Sequence, residues 1–346
     1  MKKTPWKKVL SSALTCFVIA LAVFLVFRGN YQEILENLSK APLWGTAVLF
    51  ALAAAYQAAE AGICMALVRA RLPGFSYRDA VGVTFLGVFG NVATCAVGSI
   101  PMQSYRLHQC GLTIGHGIGM MTMEYVFHKA SIVLYATVML IWQGGWLREA
   151  CPDLSKYLVA GYGVCIVIIT ALVLVSTWGK MKALALRLLR SLPETEAWER
   201  RKSAWAANLE SLYAESRNVL KSRGICRRVL LLNAMKLFCL YSAVYFSLRF
   251  LGIPALPMGR VQLLAALMLM ISSALPNIAG VGPAEFTFLL LFTPFMTAAQ
   301  ASSALILYRT ATYFFPFLLS IAVIAAGGGV LRLPPDTASP PHGERH

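Results

Sequence analysis

A few ionisable side chains stand inside long apolar stretches of this chain, and their types and spacing define the chemistry open to it. Three occur together in Glu124-Tyr125-Val126-Phe127-His128-Lys129. Glu124 and His128 are four residues apart, so on a helix they share a face. A carboxylate and an imidazole so placed could pair, bind a headgroup or relay a proton. Equally, they could form a buried ion pair that fixes helix packing. Arg106 and Arg309 suit phosphate, because a guanidinium offers an anion two parallel N–H donors. Gln103 and Tyr105, close to Arg106, add polar reach to a headgroup site built on the two arginines. The other reading of Arg309 is internal pairing with Glu285 or Glu124. Glu285 follows Pro283 and fits the first turn of a helix, where a carboxylate favours the dipole. Glu60 lies in Ala58-Ala59-Glu60-Ala61-Gly62, where small neighbours admit a second helix and a cation on it. Lys236 falls nearer the end of an apolar stretch, where a lysine snorkels to the interface.

Motifs for enzymatic chemistry are lacking. The chain has no GxSxG, P-loop, HExxH or cluster of aspartates at metal spacing. No catalytic residue, metal or cofactor is therefore assigned. The eight cysteines include no CxxC pair and mostly lie in apolar windows, as small apolar residues do.

The elements that must position these groups follow from composition. The apolar share is 58% and the charged share only 13%, against roughly 25% in a soluble domain. Mean hydropathy is +0.65. A bilayer core takes about 20 apolar residues in a helix, and its backbone groups must pair internally. The apolar runs are continuous rather than alternating, so the fold expected is an all-α integral membrane protein and not a barrel. Six spans are expected: Val9 to Phe27, Leu43 to Val68, Ile118 to Trp142, Tyr157 to Trp178, Val229 to Leu251 and Ala299 to Ala326. Residues 1–333 form a single polytopic membrane domain, and 334–346 a disordered Pro-rich tail.

The net charge of +16 has no nucleic-acid motif beside it. Its basic residues gather in loops, where they set orientation and meet anionic headgroups. The segment 179–228 is strongly basic, opposed only by Glu194, Glu196, Glu199, Glu210 and Glu215. Leu184, Leu188, Leu192, Trp205, Leu209 and Leu212 give it amphipathic helices suited to a membrane surface. The positive-inside rule places it, with both termini, in the cytoplasm.

Two apolar stretches, Ala80 to Gly117 and Val261 to Thr297, are broken near their middles. The first break carries Gly98 and Pro101; the second carries Pro276, Asn277, Gly280, Gly282 and Pro283. If the first crossed the membrane as one span, segment 179–228 would lie outside, against the charge rule. If each is a re-entrant helical hairpin, the first entering from the cytoplasm and the second from outside, every loop obeys it. The pattern is then an inverted repeat with broken helices meeting at mid-bilayer, a recurrent transporter design. The alternative is a pair of kinked full spans.

This layout resembles the membrane domain of the lysylphosphatidylglycerol synthases, a flippase-like family, from the first span to about Gly328. The residues carrying the resemblance are Asn91, Gly98, Pro101, Arg106, Gly111 and Glu124, then Pro276, Gly280, Gly282, Glu285 and Arg309. Gln103 or Ser104 stands where the family has an acidic residue, and Tyr125 and Ala284 stand where it has arginines. The resemblance implies movement of lipids, often anionic or aminoacylated, between leaflets. The aminoacyl-transferase domain of the full synthases is absent from this sequence, so lysine transfer is not implied.

The expectation is thus a lipid flippase or transporter of a bacterial plasma membrane, with anionic membrane lipids as partners and no nucleic acid. Its headgroup site would use Arg106, Arg309, Gln103 and Tyr105, with Glu60, Glu124, His128, Lys129 and Glu285 setting cavity charge. Two rivals stand beside it. One is an integral-membrane enzyme on a lipid or polyprenyl phosphate, with Glu124 and His128 as acid and base. The other is an assembly partner in envelope biogenesis.

Overall fold

A computed structural model describes residues 31–94, 98–190, 196–253, 256–273 and 282–326. All regular structure among them is helical. The expected first span and the C-terminal tail lie outside the described residues.

A short helix α1 (Tyr31–Ser39) precedes α2 (Leu43–Val68). The 26 residues of α2 rise about 39 Å, enough to cross a core of about 30 Å. Pro42 sits just before its first turn, where a missing N–H costs nothing, and Arg69 follows its last. Three other helical segments are long and apolar enough to cross. They are α5 (Ile114–Ala150), α9 (Arg223–Phe250), and α12 (Ala298–Arg309) running through a π-helical turn, Thr310–Phe314, into α13 (Phe315–Ala326). The expected fourth span corresponds to α6 (Pro152–Thr177). At Trp178 the chain bends by 103° into the amphipathic α7 (Gly179–Arg190). The two become a fifth crossing only if the bent pair is one span.

The pair α2 and α9 makes the broadest helix contact. They run antiparallel, with Gly45 under the Phe250 ring and Gly62 beside Leu232. Glycine and alanine let the two backbones approach, which is how helices gain contact where lipid gives no hydrophobic drive.

The first broken stretch forms α3 (Tyr77–Ala93) and α4 (Ser99–Gln109). They fold back on each other rather than continuing as one kinked helix. A Cβ on Gly90 would lie 2.8 Å from both the Gly98 carbonyl oxygen and the Met102 sulfur, and Gly87 lies against Gln103. At the open end Arg106 Nη2 reaches Asp79 Oδ1 at 3.4 Å. Ser76 accepts the Asp79 N–H at the start of α3, and Thr113 accepts that of His116 at the start of α5, as capping residues do.

The second broken stretch forms α10 (Met258–Ser272) and α11 (Pro283–Phe292), packed side by side. Every residue from Val261 to Met268 is buried, so α10 is enclosed by the other helices. At 15 and 10 residues, α10 and α11 rise about 22 and 15 Å, each too short to cross alone. The break residues Pro276, Asn277 and Gly280 lie outside the described residues.

The helix α8 (Glu196–Leu220) lies across the end where α2 finishes and α5 and α9 begin. Arg71 binds Glu215 there at 2.8 Å, and Ser211 donates to the Gly115 carbonyl at 2.9 Å. Both ends of the α3–α4 hairpin are at this basic end. The α10–α11 hairpin starts from the other end. There Gly259 touches Trp142, the Arg260 guanidinium lies over the Trp146 ring at 4.8 Å, and Trp146 stacks on Phe295.

Candidate functional site

A cavity of about 430 Å³ lies between the described residues that flank the two breaks, and is also walled by α2, α5 and the π-helical turn. Asn91, Ser99 and Gln103 line it from the first hairpin; Ser272, Ser273 and Pro283 line it from the second. Tyr56 and Glu60 on α2, Tyr125, His128 and Lys129 on α5, and Arg309 on α12 are among its other polar lining. Leu52, Val88, Leu240 and Leu269 supply apolar patches between them. Its volume falls in the roughly 300–1,000 Å³ range of small-molecule sites.

Arg309 is held from two sides. Its guanidinium binds Glu285 Oε1 at 2.6 Å and lies over the Tyr313 ring at 4.6 Å. Glu285 also accepts the Gly282 N–H at 2.6 Å through Oε2, so one carboxylate both caps α11 and anchors the arginine. Gly282 has φ of +107°, which only glycine adopts at low cost. The π turn begins directly after Arg309. Such a turn adds a residue to the helical register and often marks functional sites.

Lys129 is placed differently. Its ammonium lies over the Tyr125 ring at 5.1 Å and meets no carboxylate among the described residues. Glu60 reaches across to α9 and pairs with Lys236, which also lies near the Tyr56 ring at 5.2 Å. Lys236 is completely buried and does not snorkel. Glu124 is 6% exposed, outside the cavity wall, and neither carboxylate oxygen has a hydrogen-bond partner among the described residues. His128 shares its helix face but lines the cavity, with Nδ1 unpartnered.

Of the residues expected to bind a headgroup or set cavity charge, the cavity gathers Gln103, Arg309, Glu60, His128 and Lys129. Arg106 and Tyr105 do not line it. Arg106 turns to the open end of the first hairpin, where it binds Asp79 and donates to Gln109 at 3.1 Å. The two arginines therefore do not face one another across a shared space. Glu285 pairs with Arg309 and does not itself line the cavity. Sequence reasoning missed Tyr56 on the wall and Lys236 behind it as the partner of Glu60; the signal for Lys236 was a partnerless Glu60 on a neighbouring span.

The sequence pattern of one protein family, described as the lysylphosphatidylglycerol synthase TM region, matches residues 9–320. The chain belongs to this family. Its cavity is accordingly that of a multi-pass membrane protein related to lipid handling. The match covers all the described helices except the second half of α13. A comparison with curated proteins finds no match.

Proposed function

We propose that this family member moves an anionic phospholipid between the leaflets of a bacterial plasma membrane. The observation carrying this reading is the cavity itself: the flanks of both hairpin breaks line one space that holds Lys129, which meets no carboxylate among the described residues, and a fixed arginine. Lys129 supplies the attracting charge, and Arg309, pre-set by Glu285, supplies planar donors to a phosphate. Asn91, Gln103, Ser272 and Ser273 offer hydrogen bonds to the rest of a headgroup. Phe286, Phe314 and Leu318 are exposed large apolar side chains on the neighbouring segments, and suit contact with acyl chains in the bilayer.

Under this reading the two hairpins are re-entrant and inverted, the first from the basic end and the second from the opposite end. The positive-inside rule puts the α7–α8 end in the cytoplasm. Broken helices on opposite sides of one cavity then serve as its two gates, as in inverted-repeat transporters.

The test is reconstitution into liposomes carrying labelled phosphatidylglycerol in one leaflet. Parent protein should move the label across faster than empty liposomes. Lys129→Ala should slow it about ten-fold or more, since a charge-assisted contact contributes roughly 1.5–3 kcal/mol. Equal rates for parent, Lys129→Ala and Arg309→Ala would exclude the site.

A further inference from the structure

At the end of the molecule opposite α7 and α8 lies a second cleft, of about 870 Å³. Its walls come from the end of α1, the start of α2, the end of α9 and the start of α12. It shares no lining residue with the first cavity. Its polar lining is Asn37, Lys40, Arg249 and Gln300, and no carboxylate among the described residues lines it.

All four polar side chains have N–H groups to offer. Arg249 is exposed and pairs with no carboxylate among the described residues. The end of α9 closes without its guanidinium. Gly252 donates to the Arg249 carbonyl at 3.1 Å and Ile253 to the Leu248 carbonyl at 3.2 Å, with Gly252 at φ of +67°. Lys40 pairs with Glu36 one turn back, at 3.1 Å, where both side chains are exposed. Such a surface pair adds little stability, and Glu36 does not line the cleft. Gln300 Oε1 accepts the Thr297 N–H at 3.1 Å, so its amide nitrogen is the end left for a ligand. Asn37 Nδ2 is buried and has no hydrogen-bond partner among the described residues. Two cations and two amide donors without an acid suit an anion with several acceptor oxygens, and phosphate is that anion.

The depth of the cleft says where the phosphate comes from. Leu43 and Trp44 begin the 26-residue α2 and are 90% and 65% exposed. Trp44 lines the cleft and meets the Phe250 ring edge-on at 4.9 Å. Exposed tryptophan at the end of a span belongs at the headgroup level of a bilayer. Lysine and arginine are common there as anchors, but anchoring does not require them to gather with two amides around one acid-free cleft.

We propose that this cleft binds the phosphate of an anionic phospholipid from the leaflet at that end. Lys40 and Arg249 supply the charge, Asn37 and Gln300 donate to the remaining oxygens, and the acyl chains run beside Leu43 and Trp44. The site needs no transport, so it stands or falls apart from the proposed function. With its cations exposed, binding weakens with salt and exchange with the bilayer is fast. It is therefore read in a bilayer and not from lipid retained through purification.

The test uses the full chain in nanodiscs of zwitterionic lipid with a minor share of brominated lipid. Bromine near the headgroup end of an acyl chain quenches a neighbouring indole. At about five-fold per surface cation, the pair should enrich brominated phosphatidylglycerol beside Trp44 about 25-fold over brominated phosphatidylcholine. The excess quenching should vanish in Trp44→Phe, which locates it, and in the double variant Lys40→Gln with Arg249→Gln. The exchange Lys40→Arg with Arg249→Lys should keep it and controls for folding. Lys129→Ala should also keep it, because Lys129 does not line this cleft. Equal quenching by the two lipids, or an excess that survives the glutamine pair, overturns the site. Displacement of the excess by inorganic phosphate at matched ionic strength overturns the lipid as its occupant.

Discussion

Replacing Lys236 by methionine keeps most of the side-chain volume on α9 and removes the charge. Lys236 is wholly buried between α2 and α9, paired with Glu60 and set near the Tyr56 ring. Its loss leaves the Glu60 carboxylate without its ion-pair partner. Removing one partner of a buried ion pair typically costs roughly 3–5 kcal/mol. Glu60 keeps some access to the cavity, so the lower half of that range applies. For a chain of this size that is a fall in melting temperature of roughly 5 °C. The double variant Lys236→Met with Glu60→Gln removes the stranded charge and should recover most of the loss, because apolar replacement of a whole buried pair is often neutral. Thermal unfolding followed by fluorescence in detergent measures all three proteins. The reasoning fails if Lys236→Met melts with the parent. It fails equally if the double variant is no more stable than the single one, since the penalty would then not reside in the unpaired carboxylate.

Three further outcomes follow from the same geometry. Gly282→Ala should cost about 1–3 kcal/mol and slow lipid movement, because its backbone is left-handed although no atom lies within 4 Å of the new Cβ; melting temperature and the liposome assay check it. Gly90→Leu should pry apart the first hairpin, whose Gly98 carbonyl stands 2.8 Å from the new Cβ, and cysteine cross-linking across α3 and α4 should fall. Arg71→Ala should strand Glu215, 1% exposed, with only His116 at 3.9 Å to replace the arginine; limited proteolysis should then cut α8 faster than in the parent.

The span Leu43–Val68 was legible to the residue, because proline and arginine bracket an uninterrupted apolar run. That each broken stretch holds two short helices rather than one long one was legible from its Gly and Pro residues. What a linear pattern cannot supply is the direction in which a side chain leaves its helix. Gln103 and Arg106 are three apart on α4, yet Gln103 meets the cavity and Arg106 meets Asp79 on α3. Lys236 was misjudged because the apolar run opens at Val229 while the helix opens at Arg223. The extra turns put the lysine about 20 Å along α9, deep beside Glu60. The pairing of Arg309 with Glu285 was one of two partners open to it, and the cap on α11 decides between them by fixing Glu285 one helix away. That Lys129 at the cavity wall meets no carboxylate among the described residues emerges only when its neighbours are known.

The central claim is that an anionic headgroup rests in the cavity at Lys129 and Arg309. Native mass spectrometry of the purified protein with phosphatidylglycerol and a zwitterionic lipid tests it most directly. The parent should retain the anionic lipid preferentially, Lys129→Ala and Arg309→Ala should lose that preference, and Arg106→Ala should keep it. Retention unchanged in Lys129→Ala and Arg309→Ala, or lost in Arg106→Ala alone, would contradict the site.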